Sequence, residues 1–329
     1  MKTIVEKLID RKDLEDREME MAFDMIMSGQ VGDSLVAGFL VALRAKGEKP
    51  SEIASAARIM REKALRVNVG FDVVDTCGTG GDGASTLNIS TAVAFVLAGA
   101  GLKVAKHGNR SVSSTSGSAD CLEALGVPID LNPCEAEAAL KDKGFAFMFA
   151  PRYHPSMKHA MPARKGLGMK TVFNILGPLT NPARAQYQVI GVYREELIDP
   201  IAQSLRILGL KGAMVVHSGL DEVSISRPTR YARLSGGAIV RGEVCPEDAG
   251  LERGPLDGIR VSTPEESARR IEAVFSGDLK GPCLDTILLN AGAAFMAVDG
   301  RLGLREGVRR AAAVIEGGGA LRALERARG

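Results

Sequence analysis

Asp75-Thr76-Cys77-Gly78-Thr79-Gly80-Gly81-Asp82-Gly83 follows a short apolar run at 72–75 and leads into Asn88-Ile89-Ser90-Thr91, where an alanine-rich helical stretch begins. Strand, glycine-rich turn and helix in that order form the repeating unit of a parallel sheet covered by helices. The unit recurs downstream. Short β-branched or apolar runs at 102–105, 146–149, 187–192 and 213–217 alternate with helical stretches. The reading is an α/β fold whose large domain, 70–329, holds a mainly parallel central sheet flanked by helices.

Before this region the pattern differs. Ile4, Leu8 and Ile9, then Met21, Met25 and Ile26, then Leu35, Val36, Phe39, Leu40 and Leu43, then Ile53, Ala56 and Ile59 recur at helical spacing. Glycines at 29, 32 and 47 with Pro50 punctuate them, so 1–66 reads as a small all-helical domain of four short helices. The stretch 151–182 carries five prolines and neither period. It is expected to cross between the domains, with part of 164–182 joining the helical one. The tail at 306–328, rich in Ala, Arg and Glu, reads as a surface helix.

Composition narrows the function. Lys and Arg exceed Asp and Glu by 42 to 40, and Trp is absent, so neither a global positive field nor stacking platforms exist to hold nucleic acid. No run of roughly 18 apolar residues suggests a membrane span. Five scattered cysteines without a Cys-x-x-Cys pair suggest neither a disulfide framework nor a zinc site, and fit a reducing, cytoplasmic setting. Any anion site is therefore local.

The glycine loop supplies one. Glycines remove the Cβ atoms that would keep an oxyanion from backbone N–H groups, and a helix start near Ser90 adds unpaired N–H groups and a positive dipole end. A P-loop would require a Lys that is missing here, and the dinucleotide pattern fits weakly, with Asp82 facing the phosphates. The next strand ends in Lys106-His107-Gly108-Asn109-Arg110-Ser111-Val112-Ser113-Ser114, one βαβ unit later. Two loops should then face one cleft. Lys106 and Arg110 bring cationic partners, Asn109 both donor and acceptor, and the serines short-range donors.

With these two motifs the sequence resembles the anthranilate phosphoribosyltransferases. The likeness continues through Ala150-Pro151-Arg152-Tyr153-His154-Pro155, Arg164, the stretch from Phe173 to Pro182, and Asp221-Glu222-Val223-Ser224. The resemblance implies a phosphoribosyl pyrophosphate (PRPP) site made of Gly78, Gly81, Asp82, Thr86, Asn88, Ile89, Ser90, Thr91, Lys106, His107, Gly108, Asn109, Arg110, Ser111, Val112, Ser113, Ser114 and Ser118. It implies an anthranilate site of Gly78, Asn109 and Arg164, and two Mg2+ ions held by Ser90, Asp221 and Glu222. His107, Tyr153 and His154 are expected along the acceptor passage or, equally, as polar residues satisfied by backbone. A homodimer through the helical domain is also implied. Where relatives have Arg-Thr, this chain has Lys170-Thr171, which replaces a planar fork by a point charge.

The implied reaction joins the anthranilate amine to C1 of the ribose as pyrophosphate leaves, an early step of tryptophan biosynthesis. An aromatic amine is largely unprotonated at neutral pH, so orientation matters more than a strong base, and no catalytic nucleophile or acid/base residue is expected. Two other readings share the fold. One is a pyrimidine nucleoside phosphorylase-like enzyme, whose Lys-His-Ser motif differs from Lys106-His107-Gly108; the other is a non-catalytic relative that binds nucleic acid.

Overall fold

A computed structural model describes residues 1–80, 84–110 and 116–329. Four helices come first: α1 (Lys2–Ile9), α2 (Asp16–Met27), α3 (Asp33–Lys46) and α4 (Pro50–Lys63). A capping box at Glu15 and Glu18 opens α2, and Pro50 occupies the first position of α4, where its missing N–H costs nothing. Glu52 is fully buried yet satisfied: it accepts from Leu14 N, Lys49 N and Lys46 Nζ, all at 2.8 Å, and so pins the entry to α2 against α4.

The large sheet has seven strands: β1 (Val74–Gly78), β2 (Val104–Gly108), β3 (Phe145–Phe149), β4 (Tyr187–Gly191), β5 (Gly212–His217), β6 (Thr229–Ser235) and β7 (Ala238–Val244). Their order is β3-β2-β1-β4-β5-β6-β7. The first five are parallel and the last two antiparallel. The sheet is thus mainly parallel, as the alternation of strands and helices implies. Its chain order reverses between β1 and β4. In open α/β sheets ligands bind beside such a reversal, outside the carboxyl ends of the strands.

Alternating side chains of the inner strands feed cores on both faces of the sheet. On one face Val189, Met214 and Val216 pack with α5 (Ile89–Gly99) and the helix Pro282–Val298; Phe95 of α5 stacks on Phe145 at 4.6 Å between ring centroids. On the other face Ile190, Val192, Ala213 and Val215 share a core with Phe23, Phe39 and Leu40 of the N-terminal helices. The proline-rich stretch contributes Ala160, Ala163, Val172 and Phe173 to this second core. No helix among the described residues is long and apolar enough to cross a membrane.

Three local expectations change. The strand read at 72–75 lies at Val74–Gly78, because pairing with β4 continues through Thr76, Cys77 and Gly78. The antiparallel pair β6 and β7 is additional. The tail is two helices, Leu304–Glu316 and Gly319–Arg328, broken at Gly317-Gly318. It is no mere surface helix, since Ala320, Ala323, Leu324 and Ala327 are buried, and a Cβ on Gly99 of α5 would lie 2.6 Å from the Gly319 carbonyl carbon.

Candidate active site at the strand ends

β1 and β2 are adjacent and parallel, with Val74 in register with Val104, so Gly78 and Gly108 end side by side. The glycine loop and the Lys106 loop therefore leave the sheet at one edge. Gly81, Asp82, Ser111, Val112, Ser113 and Ser114 lie outside the described residues.

The start of α5 is held under this edge. Thr76 Oγ1 donates to the Ser90 carbonyl at 2.7 Å, and Lys106 Nζ donates to Thr76 O at 2.6 Å and to Ser90 Oγ at 3.2 Å. Lys106 is only 1% exposed. Burial lowers its pKa, while nearby Asp75 opposes that shift. Its ammonium uses two of three donors among the described residues. Asn88 is the N-cap of α5 but makes no capping bond with its side chain, which instead exchanges hydrogen bonds with Ser116: Ser116 Oγ donates to Oδ1 at 2.7 Å and Nδ2 donates to Ser116 O at 3.2 Å. In this first turn Ile89 N donates to Leu87 O at 2.7 Å and Thr91 N to Asn88 O at 3.0 Å, so what the helix start offers an anion is chiefly the positive end of its dipole. The side chains of Ile89 and Thr91 are buried, at 1% and 0% exposure.

The acidic pair follows β5. Asp221 fits against the bare backbone of β1 and β4: a Cβ on Gly78 would stand 2.3 Å from Asp221 Oδ2, and one on Gly191 would collide with Asp221 O. Gly80 N donates to the same Oδ2 at 2.8 Å. Glu222 is held by its own backbone, through Ser218 Oγ donating to Glu222 O at 2.8 Å. Both acidic residues are half-buried. The glycine loop, the start of α5, Lys106 and the acidic pair thus gather at the reversal between β1 and β4.

Two family models match the chain: "Glycosyl transferase family, helical bundle domain" over residues 2–64 and "Glycosyl transferase family, a/b domain" over residues 70–321. Anthranilate phosphoribosyltransferase of Symbiobacterium thermophilum is 50% identical over 100% of this chain and 97% of its own length. The chain belongs to the anthranilate phosphoribosyltransferase family. The Thermus thermophilus anthranilate phosphoribosyltransferase structure superposes with a TM-score of 0.93 at 42% identity, covering 99% of this chain and 98% of that one. The Saccharomyces cerevisiae anthranilate phosphoribosyltransferase, solved in complex with PRPP and Mg, gives 0.90 at 31%, covering 98% and 95%.

Several residues singled out on the anthranilate phosphoribosyltransferase resemblance stand apart from the Lys106 cluster. Arg110 is turned outward, its guanidinium bound to Asp120 at 2.8 Å and to Glu123 at 2.5 and 2.8 Å. Asn109 is exposed, with Oδ1 accepting from Arg110 N at 2.8 Å. Ser118 donates to Asn109 O at 3.3 Å, and its Oγ fills the space beside Gly108. Thr86 bridges to Arg260. Arg164 lies on the helix Met161–Leu167, half-buried over the Phe173 ring, 5.2 Å from its centroid. Burial lowers its pKa, and no carboxylate pairs with it among the described residues. The segment after it reaches the strand ends: Lys170 Nζ sits 3.6 Å from the Tyr193 ring centroid, and Tyr193 N donates to Thr79 Oγ1.

His107 and His154 are buried with ring centroids 5.0 Å apart, and burial drives His107 well below the usual range and His154 to about 4. Tyr153 is a core residue whose hydroxyl donates to Leu131 O at 3.0 Å. For Tyr153 the backbone-satisfied reading holds.

Sequence reasoning passed over Asp75. It is fully buried, accepting from His107 N at 3.2 Å and from Asn181 Nδ2 at 2.7 Å, and Asn181 Nδ2 also donates to Ala105 O. Burial raises its pKa against the pull of Lys106. Asp75 and Asn181 brace β1 to β2 directly beneath the two loops. A carboxylate at the end of an apolar run, with Lys106 one strand away, was the available signal.

Proposed function

We propose that this chain transfers the phosphoribosyl group of PRPP to the amine of anthranilate, giving N-(5-phosphoribosyl)anthranilate and pyrophosphate. The observation that carries the reading is the meeting of Gly78, Ser90, Lys106 and Asp221 at one strand reversal, in a chain of this family. The diphosphate would lie over the start of α5 and the glycine loop, with backbone N–H groups and the remaining Lys106 donor facing it. Arg164, desolvated and with no carboxylate partner among the described residues, suits a benzoate carboxylate, which a planar guanidinium grips with two parallel bonds. Gly78 and Asn109 would border the same acceptor.

The acidic pair suits a divalent cation of the magnesium type. Among the described residues no group of three or more His, Cys, Asp or Glu side chains could form an all-protein cage. Two carboxylates and the Ser90 hydroxyl leave coordination positions for water and substrate oxygens, the arrangement Mg2+ prefers. Bound there, Mg2+ would neutralise charge growing on the leaving diphosphate. Two such ions are expected, held by Ser90, Asp221 and Glu222. No residue here is asked to be a nucleophile. Orientation of the two substrates and exclusion of water carry the rate.

In this reading residues 1–66 with part of 164–182 form a lobe that brings Arg164 to the large domain 70–329. Ile9, Met21 and Val41 are exposed on the helical part, at 67%, 54% and 39%, and favour a homodimer through that lobe. A cytoplasmic location accords with the free thiols. The test is the loss of anthranilate fluorescence by purified protein. It should require both PRPP and Mg2+, and in the Asp221→Asn/Glu222→Gln double variant it should weaken and partly recover at high Mg2+. Phosphorolysis of thymidine or uridine with no use of anthranilate would overturn the reading.

A further inference from the structure

A cavity of about 400 Å³ opens at the opposite end of the sheet from the site above, where Ala185 and Gln186 lead into β4 and Gly209 and Leu210 lead toward β5. Arg58 and Arg61, one turn apart on α4, form one wall, and Arg184 stands on the other. Three guanidinium groups thus line one cavity, and they are not equally compensated.

Arg58 is paired with Glu20 at 2.8 Å and Asp16 at 3.7 Å. Among the described residues Arg61 has no ion pair: its Nε donates to Leu179 O at 2.6 Å, its Nη2 is buried with no hydrogen-bond partner there, and the residue is only 8% exposed. Glu62, the one carboxylate of the lining, makes no ion pair with Arg61 or Arg184 among the described residues. Arg184 brings a second positive charge near Arg61, and burial together with that neighbour lowers the Arg61 pKa to about 10. Arg184 is also held at φ 51, a left-handed backbone that a non-glycine residue rarely adopts. A buried cation beside a like charge is a costly arrangement unless an anion completes it.

We propose that this cavity is an anion site that takes a phosphate group between Arg61 and Arg184, either free phosphate or the head of a small phosphomonoester. Guanidinium groups match phosphate oxygens with paired donors. The volume exceeds what one phosphate needs and falls within the range of about 300–1,000 Å³ usual for small-molecule pockets. Because Arg61 lies on α4 and Arg184 enters β4, the bound anion would fasten the helical region to the strand whose far end, Gly191, packs against Asp221.

Thermal unfolding of the full chain with inorganic phosphate, at ionic strength matched by NaCl, tests this. Wild type should gain Tm. Arg184→Gly, which keeps the left-handed backbone without strain, should lose more than half of that gain, whereas Asp221→Asn at the other end of the sheet should retain the part due to this cavity. A crystal soaked in selenate should show an anomalous peak within hydrogen-bonding distance of Arg61 and Arg184. A larger gain with ribose 5-phosphate than with phosphate at equal concentration in wild type, lost in Arg184→Gly, assigns the phosphomonoester; equal gains assign free phosphate. An identical phosphate response in wild type and Arg184→Gly, or only water beside Arg61 in the soaked crystal, overturns the proposal.

Discussion

The Asp221 carboxylate occupies the place a side chain on Gly78 would take: a Cβ there would sit 2.3 Å from Oδ2. This contact fixes the acidic pair, which follows β5, to the end of β1, where the glycine loop begins. Gly78→Ala must therefore push Asp221 away. The expected result is a fall of roughly 100-fold in kcat/KM for PRPP, the scale of a misplacement near 1 Å, with a raised Mg2+ requirement. Steady-state kinetics across a Mg2+ series would check it, and an unchanged Mg2+ profile would separate Asp221 from the metal.

Arg164 lies half-buried over Phe173 with no carboxylate partner among the described residues. Arg164→Ala should raise the KM for anthranilate by about 10- to 100-fold, the worth of one or two charge-assisted hydrogen bonds, and leave the KM for PRPP nearly unchanged. Arg164→Lys should recover only part of the loss, because a point charge cannot grip both carboxylate oxygens. A defect confined to PRPP would contradict the assignment.

Arg110 is exposed and joined to Asp120 and Glu123. Exposed pairs of this kind are weak, so a bound phosphate can draw Arg110 away at small cost. Glu123→Gln should lower the KM for PRPP by no more than about fivefold, and the difference should shrink in high salt. A raised KM would mean that the ion pair serves PRPP binding as it stands.

His107 and His154 make stability depend on pH. Both titrate near 6.5 in an unfolded chain, and burial holds His154 to about 4 and His107 well below its ordinary value. Above pH 6.5 neither state binds the protons. As pH falls from 6.5 through 4 the unfolded chain takes them up first, so stability present above 6.5 is lost across that window. The His154 shift alone corresponds to roughly 3 kcal/mol. Urea denaturation at pH 7.5 and 4.5 should reveal the loss, and His154→Gln should make it smaller; an equal loss in the variant would assign it elsewhere.

Much of this architecture is legible in the sequence. Two glycine- and cation-bearing loops, each after a short apolar run, imply strands ending together, and the β1 and β2 register agrees. The boundaries of β1 were less legible because Thr76, Cys77 and Gly78 owe their extended state to β4, where Cys77 pairs with Ile190, 113 residues away. β6 and β7 escaped notice because Arg230, Arg233, Arg241 and Glu243 interrupt the apolar pattern, although Gly236-Gly237 between them is a hairpin signal. The tail looked like a surface helix because composition does not report that Gly99 lets Gly319 approach α5. In the site, Lys106 could be read from its own motif, whereas Asp221 and Glu222 came only with the family resemblance, since an acidic pair in a turn is unremarkable by itself. That Lys106 is buried under Thr76 and Ser90, and that Arg110 faces Glu123, depends on side-chain packing that spacing does not encode.

The claim on which the account rests is that the diphosphate of PRPP lies across the carboxyl ends of β1 and β2. Diffraction from crystals grown with PRPP and Mn2+ in place of Mg2+ tests it most directly, since manganese is located by its anomalous signal. The expected density places manganese at Asp221 or Glu222 and diphosphate oxygens over the start of α5, within reach of Lys106. Well-ordered PRPP bound elsewhere, with no manganese at the acidic pair, would contradict it.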